Sequence, residues 1–278
     1  MPLLHVIVLG IVQGLTEFLP ISSSAHLALI PWLFGWPDQG LSFDIALHLG
    51  TLAAVVLCFF RDWVQVFAQG FGLNFSGDPS LQRNRRLLWL LVLGSIPAGV
   101  VGLLVKEQAE TVWRYNQYLI GSMFIGIGLF MWWADRQGRR NKDLGYVTTI
   151  DALVIGAAQA VALVPGVSRS GITISFGLLR NLDRASAARF SFLLSTPAVA
   201  GAALKDFYDL MKDGGGIPAG MRTPFALGIL VSGITGALTI RFFLNFLRRR
   251  SLNLFVCYRL IFGIIVIALA TFFRYSGR

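Results

Sequence analysis

Residues 14–26 read GLTEFLPISSSAH and residues 163–171 read LVPGVSRSG. In each, a proline-bearing turn and a cluster of serines carry one strong ion, Glu17 or Arg169. Both sit inside apolar stretches, residues 3–34 and 150–179, broken at Pro20 and at Pro165-Gly166. Each half-stretch is about 15 residues, or about 22 Å of helix, short of a hydrocarbon core of about 30 Å. The two stretches are therefore predicted to be re-entrant helical hairpins, which enter the membrane and turn back. Broken backbone at that depth is tolerated only where protein buries it or water reaches it. An ionisable side chain there is expensive and, by default, functional.

The sequence around these turns is also that of a membrane protein. Of 278 residues, 55% are hydrophobic and 14% charged, against about 25% charged in a soluble domain. Six further segments are long enough to span a bilayer: 43–60, 87–105, 116–134, 185–204, 224–246 and 254–273. The formal net charge of +10 is carried by short connections, a pattern that writes topology and excludes nucleic acid as a partner. Thirteen Lys and Arg lie in 61–86, 135–147, 180–184 and 248–250. Seven lie in 35–42, 106–114, 205–223 and the C-terminal end. The first set is expected in the cytoplasm and both termini outside. All seven tryptophans (32, 36, 63, 89, 113, 132, 133) fall near predicted boundaries, as an aromatic belt does. Cys58 and Cys257 lie in apolar helices and suggest neither disulfide nor metal. MPLLHVIVLG has no basic leader and is read as mature structure.

The two halves repeat. Gly10, Gln13, Ser22 and Ser24 match Gly156, Gln159, Ser168 and Ser170 at a displacement of 146. Gly94, Ala98 and Gly102 match Gly228, Ser232 and Gly236 at 134. Under the charge-derived topology 43–60 runs inward and 185–204 outward, so the repeats are inverted. The expected fold is an all-α polytopic membrane protein. It is a single domain, 1–278, of inverted repeats roughly 1–140 and 146–278, with two re-entrant hairpins and six full spans. Such architectures place binding sites at the midplane between broken helices.

If the hairpins enter from opposite faces, their tips meet. One tip offers Gln13, Glu17, Ser22, Ser23, Ser24 and His26; the other offers Gly166, Ser168, Arg169, Ser170 and Thr173. Half-helix N-termini bind phosphate oxygens, and a guanidinium grips phosphate bidentately. The pattern suits an anionic, lipid-borne substrate. The plainer readings are a Glu17–Arg169 structural pair, a capping Ser22, a satisfied buried His26, Gln13 as interhelical glue, structural Asp44 and His48, and snorkelling Arg241 and Arg259.

QGLTEFLPISSSAH (13–26) and PGVSRSG (165–171), with FDIALHLGT (43–51) and RFSFLLSTP (189–197), closely resemble the bacterial undecaprenyl-diphosphate phosphatases, the bacitracin-resistance family. The likeness covers essentially the whole chain. It implies hydrolysis of undecaprenyl diphosphate to the monophosphate and inorganic phosphate, which recycles the lipid carrier for cell-wall synthesis, and a divalent cation, usually Mg²⁺ or Ca²⁺. It implies residence in the bacterial cytoplasmic (inner) membrane, where the charge-derived topology has the site open to the periplasmic side; a homodimer stays open. Family roles fall on Gln13, Glu17, Ser23, His26 and Arg169. Glu17 is the expected activating base or metal ligand, Ser23 the preferred nucleophile with a histidine or a water as the alternatives, His26 the acid–base partner, and Arg169 the diphosphate clamp. Ser22, Ser24, Gly166, Ser168, Ser170 and Thr173 are expected to bind substrate. Gln13 stands where many relatives have Glu, which leaves Glu17 the sole deep acid. The rival reading is a transporter or flippase for an anionic prenyl lipid, since inverted repeats with broken helices also serve alternating access.

Overall fold

The computed structural model describes residues 1–213 and 219–275. These form twelve α-helices with short 3-10 and π turns; among the described residues the only β feature is a bridge between Lys142 and Leu182.

The broken stretches are hairpins. α1 (Leu3–Thr16) and α2 (Ser23–Phe34) form the first, α8 (Thr149–Val161) and α9 (Arg169–Leu179) the second. Two serines restart the chain after the breaks, Ser22 at φ 73° and Ser168 at φ 70°. Residues with a Cβ enter that region only at a cost. The two positions are those the sequence repeat pairs at 146. α8 opens with a capping box between Thr148 and Asp151, which satisfies two otherwise unpaired amides.

Five helices are long and apolar enough to cross a bilayer: α6 (Leu87–Gln108), α7 (Gln117–Gln137), α10 (Arg184–Asp213), α11 (Arg222–Leu247) and α12 (Asn253–Tyr275). The sixth expected span, 43–60, is α3 (Leu41–Cys58), which bends by 71° into α4 (Phe60–Gly70). Leu57, Leu103, Leu104, Leu238, Ile261 and Phe272 are exposed on the outer faces, as a lipid-facing surface requires. α10 continues well past the expected end of its span at residue 204, through Asp213. The connection placed at 205–223 thus begins as helix, and its residues 214–218 lie outside the described residues.

The segment 61–86 is more ordered than a loop. In α4 Phe60, Val64 and Phe67 are exposed, while Gln65 and Gln69 are buried. Gln65 Nε2 donates to Asp78 O (3.0 Å) and Gln65 Oε1 accepts from Asp78 N (2.8 Å), just ahead of the short helix α5 (Pro79–Arg83). The exposed apolar side chains of this short helix at a span end suit the membrane interface.

Packing is crossed between halves: α1 and α3 pack on α11, and α8 and α10 on α6, with α7 against α12. Contact at these crossings is close. A Cβ on Gly156 would lie 2.1 Å from Gly94 O, and one on Gly50 would lie 2.1 Å from Ser232 Oγ. These are the small-residue contacts that hold membrane helices together.

The connections sort into two ends. At one, Lys142 N donates to Asn181 O (3.0 Å), Asn84 Nδ2 to Leu144 O (3.1 Å), and Leu252 N to Asp135 Oδ2 (3.2 Å). At the other, Arg114 pairs with Asp44 (2.7 Å), Tyr115 donates to Asp38 (3.3 Å), and His5 stacks on Trp36. The basic connections thus gather together, opposite 35–42 and Arg114.

Candidate active site

The two turns meet inside the protein. Gly166 N donates to Ser22 Oγ (3.2 Å), and Ser170 Oγ donates to Leu19 O (3.0 Å). Ser168 Oγ accepts from Gly171 N (3.2 Å) and so caps α9. Broken backbone also leaves carbonyls without donors, and one residue supplies them. Arg259 on α12 is fully buried and donates to Pro20 O (3.2 Å), Gly166 O (2.6 Å), Met123 O (3.0 Å) and Phe124 O (3.3 Å). It joins both turns. The snorkelling expected from its place near a span end is wrong, because the turns lie at its depth and offer two carbonyls, with two more from α7. A carbonyl left dry there would cost about 1–3 kcal/mol.

Above this tie stands Glu17. Its Oε2 accepts from Ser23 Oγ at 2.6 Å and from Gln13 Nε2 at 3.1 Å, and its Oε1 accepts from Arg169 Nη2. Ser23 and Arg169 are the first residues of α2 and α9, so each stands at a helix N-terminus, where backbone amides favour anions. Arg169 Nη1 and Gln13 Oε1 are buried and have no hydrogen-bond partner among the described residues. Glu17 and Arg169 line a cleft with Thr51, Val55, Ser195 and Val199, between α3 and α10. Its free volume is about 10 Å³, room for about one water.

Other expected site residues divide. Ser22 and Ser170 build the contact between the turns, as does Gly166, whose N–H and C=O are both engaged, while Ser168 caps α9 within its own turn. Ser24 is exposed, its Oγ 3.4 Å from that of Ser22. Thr173 is turned to α10: its hydroxyl donates to Arg169 O (2.7 Å) and lies 2.6 Å from Ser191 Oγ. His26 faces α12. Its Nδ1 donates to Ser22 O (2.7 Å), its Nε2 accepts from Tyr258 (2.6 Å), and its ring stacks on Phe262. Both ring nitrogens are occupied, so the expected acid–base partner has no open position in this arrangement. The imidazole beside Glu17 is instead His48 of α3, with Nε2 3.8 Å from Glu17 Oε2. Its motif FDIALHLGT stood in the sequence; only the packing of α3 next to α1 brings it to the site.

Metal ligands are few. Among the described residues no group of three His, Cys, Asp or Glu could hold an ion. Glu17 is the one carboxylate at the turns, and both its oxygens are engaged. The set does not fit a resident metal cage. It does fit a cation that arrives with phosphate oxygens, because Mg²⁺ commonly binds through one or two carboxylates plus substrate phosphates. The partnerless Gln13 Oε1 is a further oxygen for it.

A family described as bacitracin resistance protein BacA matches residues 6–265. An undecaprenyl-diphosphatase of Moorella thermoacetica is 47% identical over 268 residues, covering 96% of this chain and 98% of the relative. The proteins of that name from Pelobacter propionicus and Thermodesulfovibrio yellowstonii are 48% and 45% identical over 264 and 274 residues, covering 95% and 98% of each chain.

Proposed function

The chain belongs to the bacitracin resistance protein BacA family, and from that membership we infer its reaction. It hydrolyses undecaprenyl diphosphate to undecaprenyl phosphate and inorganic phosphate, returning the lipid carrier to cell-wall synthesis. The observation that best supports the chemistry is the junction of the two turns, where one carboxylate touches both a serine hydroxyl and a guanidinium.

The geometry supports the following division of labour. Arg169 and the amides opening α2 and α9 hold the diphosphate and neutralise the charge that develops on transfer, usually the largest contribution in such reactions. Ser23 Oγ attacks the terminal phosphorus while Glu17 Oε2 takes its proton across 2.6 Å. The bridging P–O bond breaks and undecaprenyl phosphate departs. His26 acts at one remove, its Nδ1–H on the Ser22 carbonyl fixing the strained residue that precedes Ser23. Mg²⁺ or Ca²⁺, held by Glu17 and Gln13 only together with the diphosphate, would supply positive charge to the leaving phosphate. With room for about one water, the cleft as it stands is too small for a diphosphate. Substrate entry would require α3 and α10 to part, the prenyl chain remaining in lipid.

Purified protein in detergent should release phosphate from polyprenyl diphosphate without a second membrane compartment; a flippase would release none. Activity should vanish on chelation and return with Mg²⁺ or Ca²⁺, while the resting protein carries far less than one equivalent of metal by elemental analysis. A stoichiometric, tightly held ion would contradict a substrate-borne cation.

The crossed packing of α1 on α11 and of α8 on α6 supports reading the chain as inverted halves, roughly 1–140 and 146–278. With the basic connections in the cytoplasm, the site opens to the periplasmic side. Cysteines placed at Arg140 and Arg249 should then resist an impermeant thiol reagent in intact cells, and one at Val112 should react. Labelling at 140 from outside would invert the topology.

A further inference from the structure

We propose that His48 holds the water that completes hydrolysis, an inference that rests on the phosphatase reading above. His48 Nδ1 lies 2.8 Å from the backbone oxygen of Asp44. A carbonyl only accepts, so Nδ1 carries the proton and Nε2 of the neutral ring is a bare acceptor. That nitrogen faces Glu17 Oε2 across 3.8 Å, too far for a hydrogen bond and with an acceptor on each side. A water donating one hydrogen to each satisfies both, the usual resolution of a polar gap beyond about 3.5 Å.

The site is built to keep this geometry. Asp44 is held by Arg114 (2.7 Å) and by Gln39 Nε2 (2.7 Å), which pins the turn of α3 that orients the imidazole. The His48 side chain is 31% exposed against 7% for Glu17, so the gap is open on the His48 side. Of the three histidines, His26 has both nitrogens engaged and His5 stacks on Trp36. His48 alone presents a free ring nitrogen to the carboxylate.

This separates the two halves of the reaction. In the first, Glu17 serves Ser23, taking its proton as the phosphoryl group arrives. In the second, the oxygen of the held water attacks the phosphorus of the Ser23 ester. The P–Oγ bond breaks with its electron pair going to Oγ, which recovers its proton from Glu17. The water gives one proton to His48 Nε2, which passes it to solvent, and inorganic phosphate leaves.

The test is His48→Leu, without an acceptor, beside His48→Gln, whose amide oxygen restores one at similar reach. His48→Leu should lower kcat by about 100-fold, the scale of a lost general base, with KM for the diphosphate unchanged. Acid-quenched protein should then carry phosphate on Ser23. His48→Gln should recover to within about tenfold of wild type, since positioning persists while basicity is lost. Should the leucine variant misassemble, His48→Phe keeps ring bulk and makes the same comparison. Wild-type kcat in the acceptor-free variants overturns the proposal, as does a loss confined to KM. Lost turnover without phosphoserine also overturns it, because His48 would then act before the phosphoryl group reaches Ser23. Failure of the wild type to release phosphate would instead sink the phosphatase reading itself.

Discussion

Glu17→Gln is expected to reduce phosphate release by about three decades or more while the protein is still extracted in good yield and stays monodisperse. Loss of a positioned base accounts for about 10²–10⁴-fold. Glutamine also replaces the acceptor that Ser23 and Arg169 share with a neutral amide. The competing view is that Glu17 exists to neutralise Arg169. Breaking a buried ion pair from one side costs about 3–5 kcal/mol, so on that view yield and thermal stability collapse with activity. The double change Glu17→Gln with Arg169→Gln would then restore them. Two observations favour the first outcome. Arg169 lines the cleft, so its charge can be met by water or anion once Glu17 is neutral. Its Nη1 already lacks a partner, which a purely structural guanidinium would not tolerate cheaply. Collapse of the single variant with rescue in the double would make Glu17 structural.

Arg169→Lys should cost one to three decades in turnover, about 1.4–4 kcal/mol of barrier. In the resting site Nη2 is committed to Glu17 and Nη1 is free, so the planar fork can hold Glu17 with one arm and a phosphate oxygen with the other. An ammonium is a single point on a flexible stem and cannot reproduce that pair of directions. Since charge is conserved, folding should be near normal. Steady-state rates and a thermal melt on the same preparation separate the two effects; near-wild-type turnover would reduce Arg169 to a generic cation.

The hairpins were legible because Pro20 and Pro165-Gly166 interrupt apolar runs whose halves cannot span a bilayer. Glu17 and Arg169 were legible because deep charge demands a reason. What escaped depended on contacts distant in sequence. His48 and Glu17 lie on different helices, and no pattern in 43–51 announces that its imidazole turns toward α1. Arg259 resembled a snorkelling residue because a one-dimensional reading gives depth only relative to its own helix, not relative to turns 93 and 239 residues away. α4 reads as a connection because its 11 residues are too short to span a bilayer and lie among basic residues. His26 sat in the right motif, yet its rotamer was decided by Tyr258 and Phe262.

The Arg259 tie also has a bearing on biogenesis. The chain is made from its N-terminus, at about 5–20 residues per second. The first hairpin is therefore complete more than two hundred residues before the guanidinium that satisfies Pro20 and Gly166 exists. Until α12 is inserted, the carbonyls of Pro20 and Gly166 lack this donor, and the turns meet only through Gly166 N with Ser22 and Ser170 with Leu19 O. Nascent or C-terminally shortened chains should thus populate the membrane without a working centre. The enzyme switches on only when its final helix is threaded home, which makes the last helix synthesised the quality check on the first.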